Sequence, residues 1–327
     1  MAFRLKLVPT TTTIDFFRWW KATAAISILL TVLTFASIAI QGFNFGIDFR
    51  GGTAIRAEST TPLDLAALRN RLGEMDLTDV AITEVFDPTF RADQHVAQIR
   101  VSSGGEDPAL SPQAISQLQS DLQTIDPELT FQSAESVSGK VSGELIWTAF
   151  LSLVAASAGI LLYIWLRFEW QFAIGAIVSL VHDALLTIGL WTFLQFKFDL
   201  TTVAAVLTII GYSVNDTVVI FDRVRENLMK YKQMPLRELL NLTINETLSR
   251  TVMTSMTTML ALMALFAFGG DVIRGFVFAM IFGVLCGIYS TVYVASLVVW
   301  KLGVTRDKPE KKDRGPNPHD PYAHVGH

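Results

Sequence analysis

Six separate runs of apolar residues dominate this chain, and they leave it little choice of solvent. They fall at about 22–40, 145–166, 170–194, 199–221, 251–268 and 272–300. A helix needs about 20 such residues to cross a hydrocarbon core, where every backbone amide must find its partner inside the segment. The pattern therefore predicts an α-helical polytopic membrane protein with six transmembrane helices. Charged residues make up only 17% of the chain, and the apolar surplus is confined to blocks, which excludes a soluble globular chain of this length. A formal net charge of −4 offers nucleic acid no attractive surface. Cys286 is the single cysteine, so an intramolecular disulfide and a CxxC site are both excluded. No cluster has metal-ligand spacing; His319, His324 and His327 lie in a Pro-rich tail. No cofactor is expected, and no metal.

One water-soluble block interrupts the runs. Between residues 41 and 142 there are 15 acidic against 7 basic side chains. Thr53-Ala54-Ile55-Arg56-Ala57 alternates as a strand does, and Asp64 to Glu74 places Leu65, Leu68 and Leu72 at helical spacing. Residues 81–85 and 96–101 read as two more strands. Ser111-Pro112 opens a second helix carrying Ile115, Leu118 and Leu122 on one face, and 129–133 reads as a last strand. The order is βαββαβ, that of a ferredoxin-like α+β domain.

Charge sets the orientation. Arg4, Lys6, Arg18 and Lys21 precede the first run, with Trp19 and Trp20 at its threshold. Arg167, the cluster Arg223, Arg225, Lys230, Lys232, Arg237, and six basic residues after 300 occupy the same side; the opposite short loops hold only Lys197 and Arg274. The positive-inside rule then predicts cytoplasmic termini and a periplasmic block. The expected divisions are a cytoplasmic segment 1–21, helix 1 over 22–41, a periplasmic domain over 42–142, helices 2–6 over 143–302, and a disordered cytoplasmic tail over 303–327. Ser37-Ile38-Ala39 loosely resembles a signal-peptide cleavage site, but the run before it is longer than a usual signal core.

Function is expected where charge enters the apolar runs. Asp216, in Gly211-Tyr212-Ser213-Val214-Asn215-Asp216-Thr217, lies within the fourth run, where a carboxylate costs about 2.5–3.5 kcal/mol to insert. Its helical face also carries Tyr212, Ser213, Thr202, Ala205 and Ile209, and Gly211 permits close approach of a neighbour. Arg250 opens the fifth run on a face with Thr254, Thr257, Ala261 and Ala264. Two small, polar stripes on antiparallel neighbours predict a charge-assisted Asp216–Arg250 pair; the alternative is an Arg250 that snorkels to the headgroups. His182-Asp183 lies near the middle of the third run and reads either as a second proton site or as helix-to-helix hydrogen bonding, with Asn215 a further polar candidate. An aspartyl protease is disfavoured, because the two acids differ in estimated depth by about 12 Å. Gly283 and Gly287 form a lone GxxxG in the last run.

The combination of motifs resembles one family. Asn44-Phe45-Gly46-Ile47-Asp48-Phe49-Arg50-Gly51-Gly52 is similar to the signature of the SecD/SecF subunits of the bacterial Sec translocase. Residues 211–227, Leu248 to Ser255 with Thr257-Thr258, His182-Asp183, and Leu7-Val8-Pro9 with Ile14-Asp15-Phe16 resemble the SecF side of that family, whose fold belongs to the RND superfamily. The resemblance implies half of an RND-type bundle, paired with SecD and working beside the SecYEG channel on a translocating preprotein in the inner membrane. It also implies proton-driven work without covalent catalysis, with protons as coupling ion, Asp216 and Arg250 on the proton pathway, and Gly51-Gly52 as a periplasmic hinge. Two alternatives remain open at this point. One is a half-unit of an RND-type proton-coupled exporter of small molecules or lipids. The other is a passive scaffold whose polar residues only lock helices together.

Overall fold

The computed structural model describes residues 12–75, 77–85, 87, 90–91 and 93–304. The Leu7-Val8-Pro9 motif, Arg4, Lys6 and nearly all of the expected tail, with its histidines, lie outside the described residues. Six helical rods among those residues are long and apolar enough to cross a membrane. They are α1 (Trp20–Gln41), α5 (Gly139–Arg167), α6 (Trp170–Phe193), α7 (Leu200–Lys230), α8 (Leu236–Phe268), and α9 (Asp271–Tyr289), which continues through a π-helical segment (Ser290–Ala295) into α10 (Ser296–Leu302).

Helices α7 and α8 run well beyond their apolar cores, where the sequence suggests only a basic connection. The extension is amphipathic. Phe221 and Val224 of α7 and Leu239, Leu240 and Ile244 of α8 are fully buried against Phe168 and Phe172, so apolar residues recur at helical spacing after the uninterrupted run has ended. Pro235 stands just before α8 and ends the turn between them. A segment from Thr12 to Phe16 is strapped across α8: Asn245 Nδ2 donates to the Ile14 carbonyl and its Oδ1 accepts from the Ile14 amide (2.8 and 2.9 Å), while Asn241 Oδ1 accepts from the Phe16 amide (2.8 Å).

Helices α7 and α9 pack through glycine. A Cβ on Gly283 would run into the Ile209 side chain, and one on Gly287 would meet Ser213 at 3.4 Å; absent side chains let the two helices meet at backbone distance. Gly283→Ala is expected to cost about 1–3 kcal/mol through overpacking, read as a lower unfolding midpoint in detergent. Gly211→Ala, with nothing within 4 Å of the added carbon, is the control. By contrast α1 and α5 expose large apolar side chains along their length, Ile28, Leu29 and Phe35 on one and Trp147, Phe150 and Leu162 on the other, as lipid-facing helices do.

Between α1 and α5 lies the α+β domain. A four-residue helix, α2 (Ile47–Arg50), precedes strand β1 (Gly52–Ser59), followed by α3 (Leu65–Gly73), β2 (Leu77–Val85), β3 (His95–Ser103), α4 (Pro112–Gln123) and β4 (Thr130–Val137). The strands pair antiparallel in the order β2-β3-β1-β4, the ferredoxin-like arrangement. Asp64 caps α3 by accepting from the Ala66 and Ala67 amides, and Ser111 caps α4 through the Ala114 amide. Leu68, Leu72, Leu118 and Leu122 close one face of the sheet over Ile55, Ile99 and Val101, each leucine stabilising by about 1.5–3 kcal/mol on burial.

Several contacts fasten this domain to the bundle. The Gly46 amide donates to the Phe198 carbonyl and the Phe198 amide to the Asn44 carbonyl, both at 2.8 Å. Asp48 accepts from the Leu200 amide at 3.0 Å. Arg56 pairs with Asp271 at 3.2 Å, and the Asp271 amide donates to Asp87. The turn between α8 and α9 is thus held to the sheet.

Candidate functional site

Along α7 and α8 the hydrogen bonds form a ladder. At one end Asn227 Nδ2 donates to Thr243 (2.9 Å) and Glu246 (2.8 Å), and Arg223 Nε donates to Glu246 (2.8 Å). At the other, Tyr212 donates to Thr258 (3.3 Å). Asp216 is the rung between: its Oδ1 accepts from Thr251 Oγ1 at 2.8 Å, while its Oδ2 has no hydrogen-bond partner among the described residues. A carboxylate bridging two helices with one oxygen left over is able to hold them more tightly when charged than when protonated.

Arg250 does not form the expected ion pair. Among the described residues no salt bridge joins it to Asp216, though it lies within electrostatic range. The reason is rotational. Successive residues on a helix turn by about 100°, so when Thr251 (1% exposed) faces α7, Arg250 is carried to the outside. Its whole stripe follows: Thr254, Thr257, Ala261 and Ala264 are exposed, and Ser255 and Leu262 are the buried positions instead. On α7 the outward stripe is Ala204, Thr208, Gly211 and Asn215, with Asp216 half-buried at its edge. Of the two stripes expected to meet, that of α8 lies on the open surface, whereas Thr202, Ala205, Ile209 and Ser213 of α7 are buried, so they do not pack on each other. Among the described residues, none comes within 4 Å of a Cβ added at Gly211.

His182 and Asp183 are buried on α6 (7% and 0% exposed). Asp183 Oδ2 accepts from Ser213 of α7 (2.6 Å) and from Ser290 of the π segment (2.7 Å). Ser179 donates to Ser290 at 3.0 Å, and Thr217 shares a hydrogen bond with Thr291 at 2.9 Å. Ser213 is three residues from Asp216, about 4.5 Å of helix rise, so the two acids act at closer levels than depth counting along each run suggests. They face different neighbours, and neither a hydrogen bond nor an ion pair links them. Sequence reasoning missed Thr251, Ser179, Thr217, Ser290 and Thr291. The only signal was hydroxylated residues inside apolar runs, which does not say whom they face.

Gly51 links α2 to β1 and Gly52 opens β1, with φ of +75° and +119°. A Cβ on Gly52 would lie 2.7 Å from Ser102 Oγ and 2.9 Å from the Val101 carbonyl oxygen. The pair is a packed turn against the central sheet.

Residues 117–305 match the family described as protein export membrane protein SecD/SecF, C-terminal, and residues 36–62 match the SecD/SecF GG motif. The chain is 58% identical over 314 residues to protein translocase subunit SecF of Cereibacter sphaeroides, covering 96% of this chain and 97% of that one. It is also 58% identical over 319 residues to the SecF subunit of Rhodobacter capsulatus, covering 96% of each. Among solved structures it superposes on SecDF, a translocon-associated membrane protein from Thermus thermophilus, with a TM-score of 0.79 and 34% identity, over 91% of this chain and 40% of that one. A SecDF crystal structure in a super-membrane-facing form gives 0.64 at 32% identity, over 90% of this chain and 39% of that one.

Proposed function

The chain belongs to the SecD/SecF family of protein-export membrane proteins, on its SecF side, and from that premise we propose how it works. It is a multi-pass inner-membrane subunit that assists the Sec translocase and joins a SecD half. Its termini are cytoplasmic and its α+β domain is periplasmic, in keeping with the basic flanks. It uses the proton motive force to complete translocation. The proton is the coupling ion, no other cofactor takes part, and no covalent step occurs. SecD covers the open stripes of α7 and α8; the SecYEG channel and the emerging preprotein are its other partners.

One observation carries the reading: Asp216, at membrane depth, bonds Thr251 of α8 through one oxygen and offers the other, unpartnered, beside an open polar surface. Ionised, it grips α8 with a charge-assisted bond worth about 1.5–3 kcal/mol; protonated, with a neutral one of about 0.5–1.5 kcal/mol. The difference is enough to move a two-state helix pair by about tenfold. Arg250, turned to the open side, supplies the positive charge of the shared interface. Release of a stalled preprotein from vesicles under an imposed proton gradient tests this, and a normal rate with Asp216→Asn would end it.

The partner face makes a separate prediction. Gly211 is exposed and a Cβ added there meets nothing within 4 Å among the described residues, so folding of the isolated subunit is expected to be unchanged in Gly211→Leu. Recovery of the SecD complex is expected to fall about five- to hundredfold, the equivalent of 1–3 kcal/mol of overpacking. Unchanged copurification would place the partner elsewhere.

A further inference from the structure

The His182–Asp183 cluster is a better-defined site than a structural role needs. Asp183 is fully buried, and Ser213 and Ser290 both donate to one of its oxygens, Oδ2. Among the described residues, its other oxygen, Oδ1, has no hydrogen-bond partner, nor does either nitrogen of the buried His182. Oδ1 and Nδ1 are 3.6 Å apart, just beyond hydrogen-bond reach, so a small side-chain rotation joins them. A buried carboxylate with a bare oxygen and a buried imidazole with two bare nitrogens are each costly alone. One proton between them removes much of both costs.

Among the described residues, no ion pair other than their own contact joins His182 or Asp183. On α9 the Cys286 thiol lies within electrostatic range of Asp183. Tyr289 packs its ring 6.0 Å from that of His182, but its hydroxyl donates away, to the Thr23 carbonyl of α1; Tyr293 of the π segment stacks behind it. From α7 come Ser213 and Thr217, while Asp216 is turned to Thr251 of α8. Helix α5 contributes Leu153 and Ile160 near this level, and α1 meets α6 through Thr34 at Gly189.

We propose that His182 and Asp183 form a second proton-binding site, inside the bundle and distinct from Asp216, holding one proton between Asp183 Oδ1 and His182 Nδ1. Uptake of that proton takes the pair from net charge −1 to 0. Transfer within it breaks an O–H bond and forms an N–H bond, with no other atom changed. The ligand is a proton and not a metal cation. A cation would need several oxygens converging on it, and at Asp183 the serine hydroxyls give hydrogen bonds instead of receiving them. Because Oδ2 grips α7 through Ser213 and the π segment through Ser290, the charge on Asp183 sets the strength of a three-helix junction one turn from Asp216. That use of the site rests on the proton-coupled reading above; its existence does not.

The test is isotope-edited infrared spectroscopy of the full chain in lipid bilayers, with carbon-13 aspartate carboxyls, titrated from alkaline to acid in an Asp216→Asn background. A protonated-carboxyl carbonyl band is expected to grow on acidification, to vanish in Asp183→Asn and to shift in His182→Gln. It is also expected to shift in the Ser213→Ala/Ser290→Ala double variant, which keeps the acid and removes its two donors. Thermal unfolding of each variant shows that it is folded. If Asp183→Asn does not fold, the double variant decides: an unmoved band overturns the proposal. So does a band that ignores pH, one that survives in Asp183→Asn, or one insensitive to His182→Gln. A failure of the Asp216 reading would show in gradient-driven export and leave this spectrum unchanged.

Discussion

Asp216→Asn is expected to abolish gradient-dependent completion of export while leaving the chain folded and bound to its partner. The asparagine Oδ1 still accepts from Thr251, 2.8 Å away in the wild type. The rung of the α7–α8 ladder therefore survives as a neutral bond, and stability should fall by only about 1–1.5 kcal/mol. What is lost is the charge that comes and goes. One charge crossing the membrane is worth about 2.3 kcal/mol per 100 mV, a bias of about fiftyfold, and an amide takes none of it. Thr251→Ala is the complementary experiment. It keeps the acid but strips its remaining partner, at a cost of about 1.5–3 kcal/mol while Asp216 is ionised. It should weaken the grip of α7 on α8 and blunt the response to the gradient without abolishing it, and Thr251→Ser should restore it. Complex recovery, measured beside export, separates a motor from a scaffold. If Asp216→Asn loses both in equal measure, the acid is structural.

The contrast between Thr251 and Arg250 shows what the sequence could and could not reveal. The six apolar runs made the six helices legible, because hydrocarbon admits no other backbone solution. The alternation and capping residues of the block after the first run made its βαββαβ order legible as well, and the ferredoxin-like sheet follows from it. Asp216 stood out by its insertion cost alone. Its partner did not, because a partner depends on the rotation of α8, and one residue of phase exchanges Arg250 for Thr251. A large charge drew the inference toward Arg250, while packing turned the smaller hydroxyl inward. Ser290 was invisible for a different reason: it reaches Asp183 across 107 residues from a π-helical segment, whose wider turn shifts the facing side chains in a way that a 100° wheel does not reproduce. The helical extension of α7 and α8 was hidden by its basic residues, which set the orientation and mask the buried Phe221, Val224, Leu239 and Ile244 between them.

Gly52→Ala is expected to be the most damaging single-carbon change in the α+β domain. At φ +119° an alanine sits in backbone territory that costs about 1–3 kcal/mol. Its methyl group would also press on Ser102 Oγ and the Val101 carbonyl. Strand β1 is central: Gly52 pairs with Val137 of β4, and the next residue, Thr53, pairs with Val101 of β3. A shift that relieves the clash disturbs both ladders at once. Against a total stability of about 5–15 kcal/mol for a domain, this should expose β1 and β3 amides to hydrogen exchange and residues 42–142 to protease in the intact chain. Gly73→Ala, in α3 with open space around the added carbon, should stabilise by about 0.5–1 kcal/mol and serves as the control. The same pair of variants judges the hinge. If Gly52→Ala leaves exchange and proteolysis unchanged yet stops export, the glycines act by bending. If export falls only as far as the domain loosens, their work is to let α2 pass into β1 beneath Val101, and the motion that carries force must pivot elsewhere, with the Arg56–Asp271 contact at the α8–α9 turn the next place to cross-link.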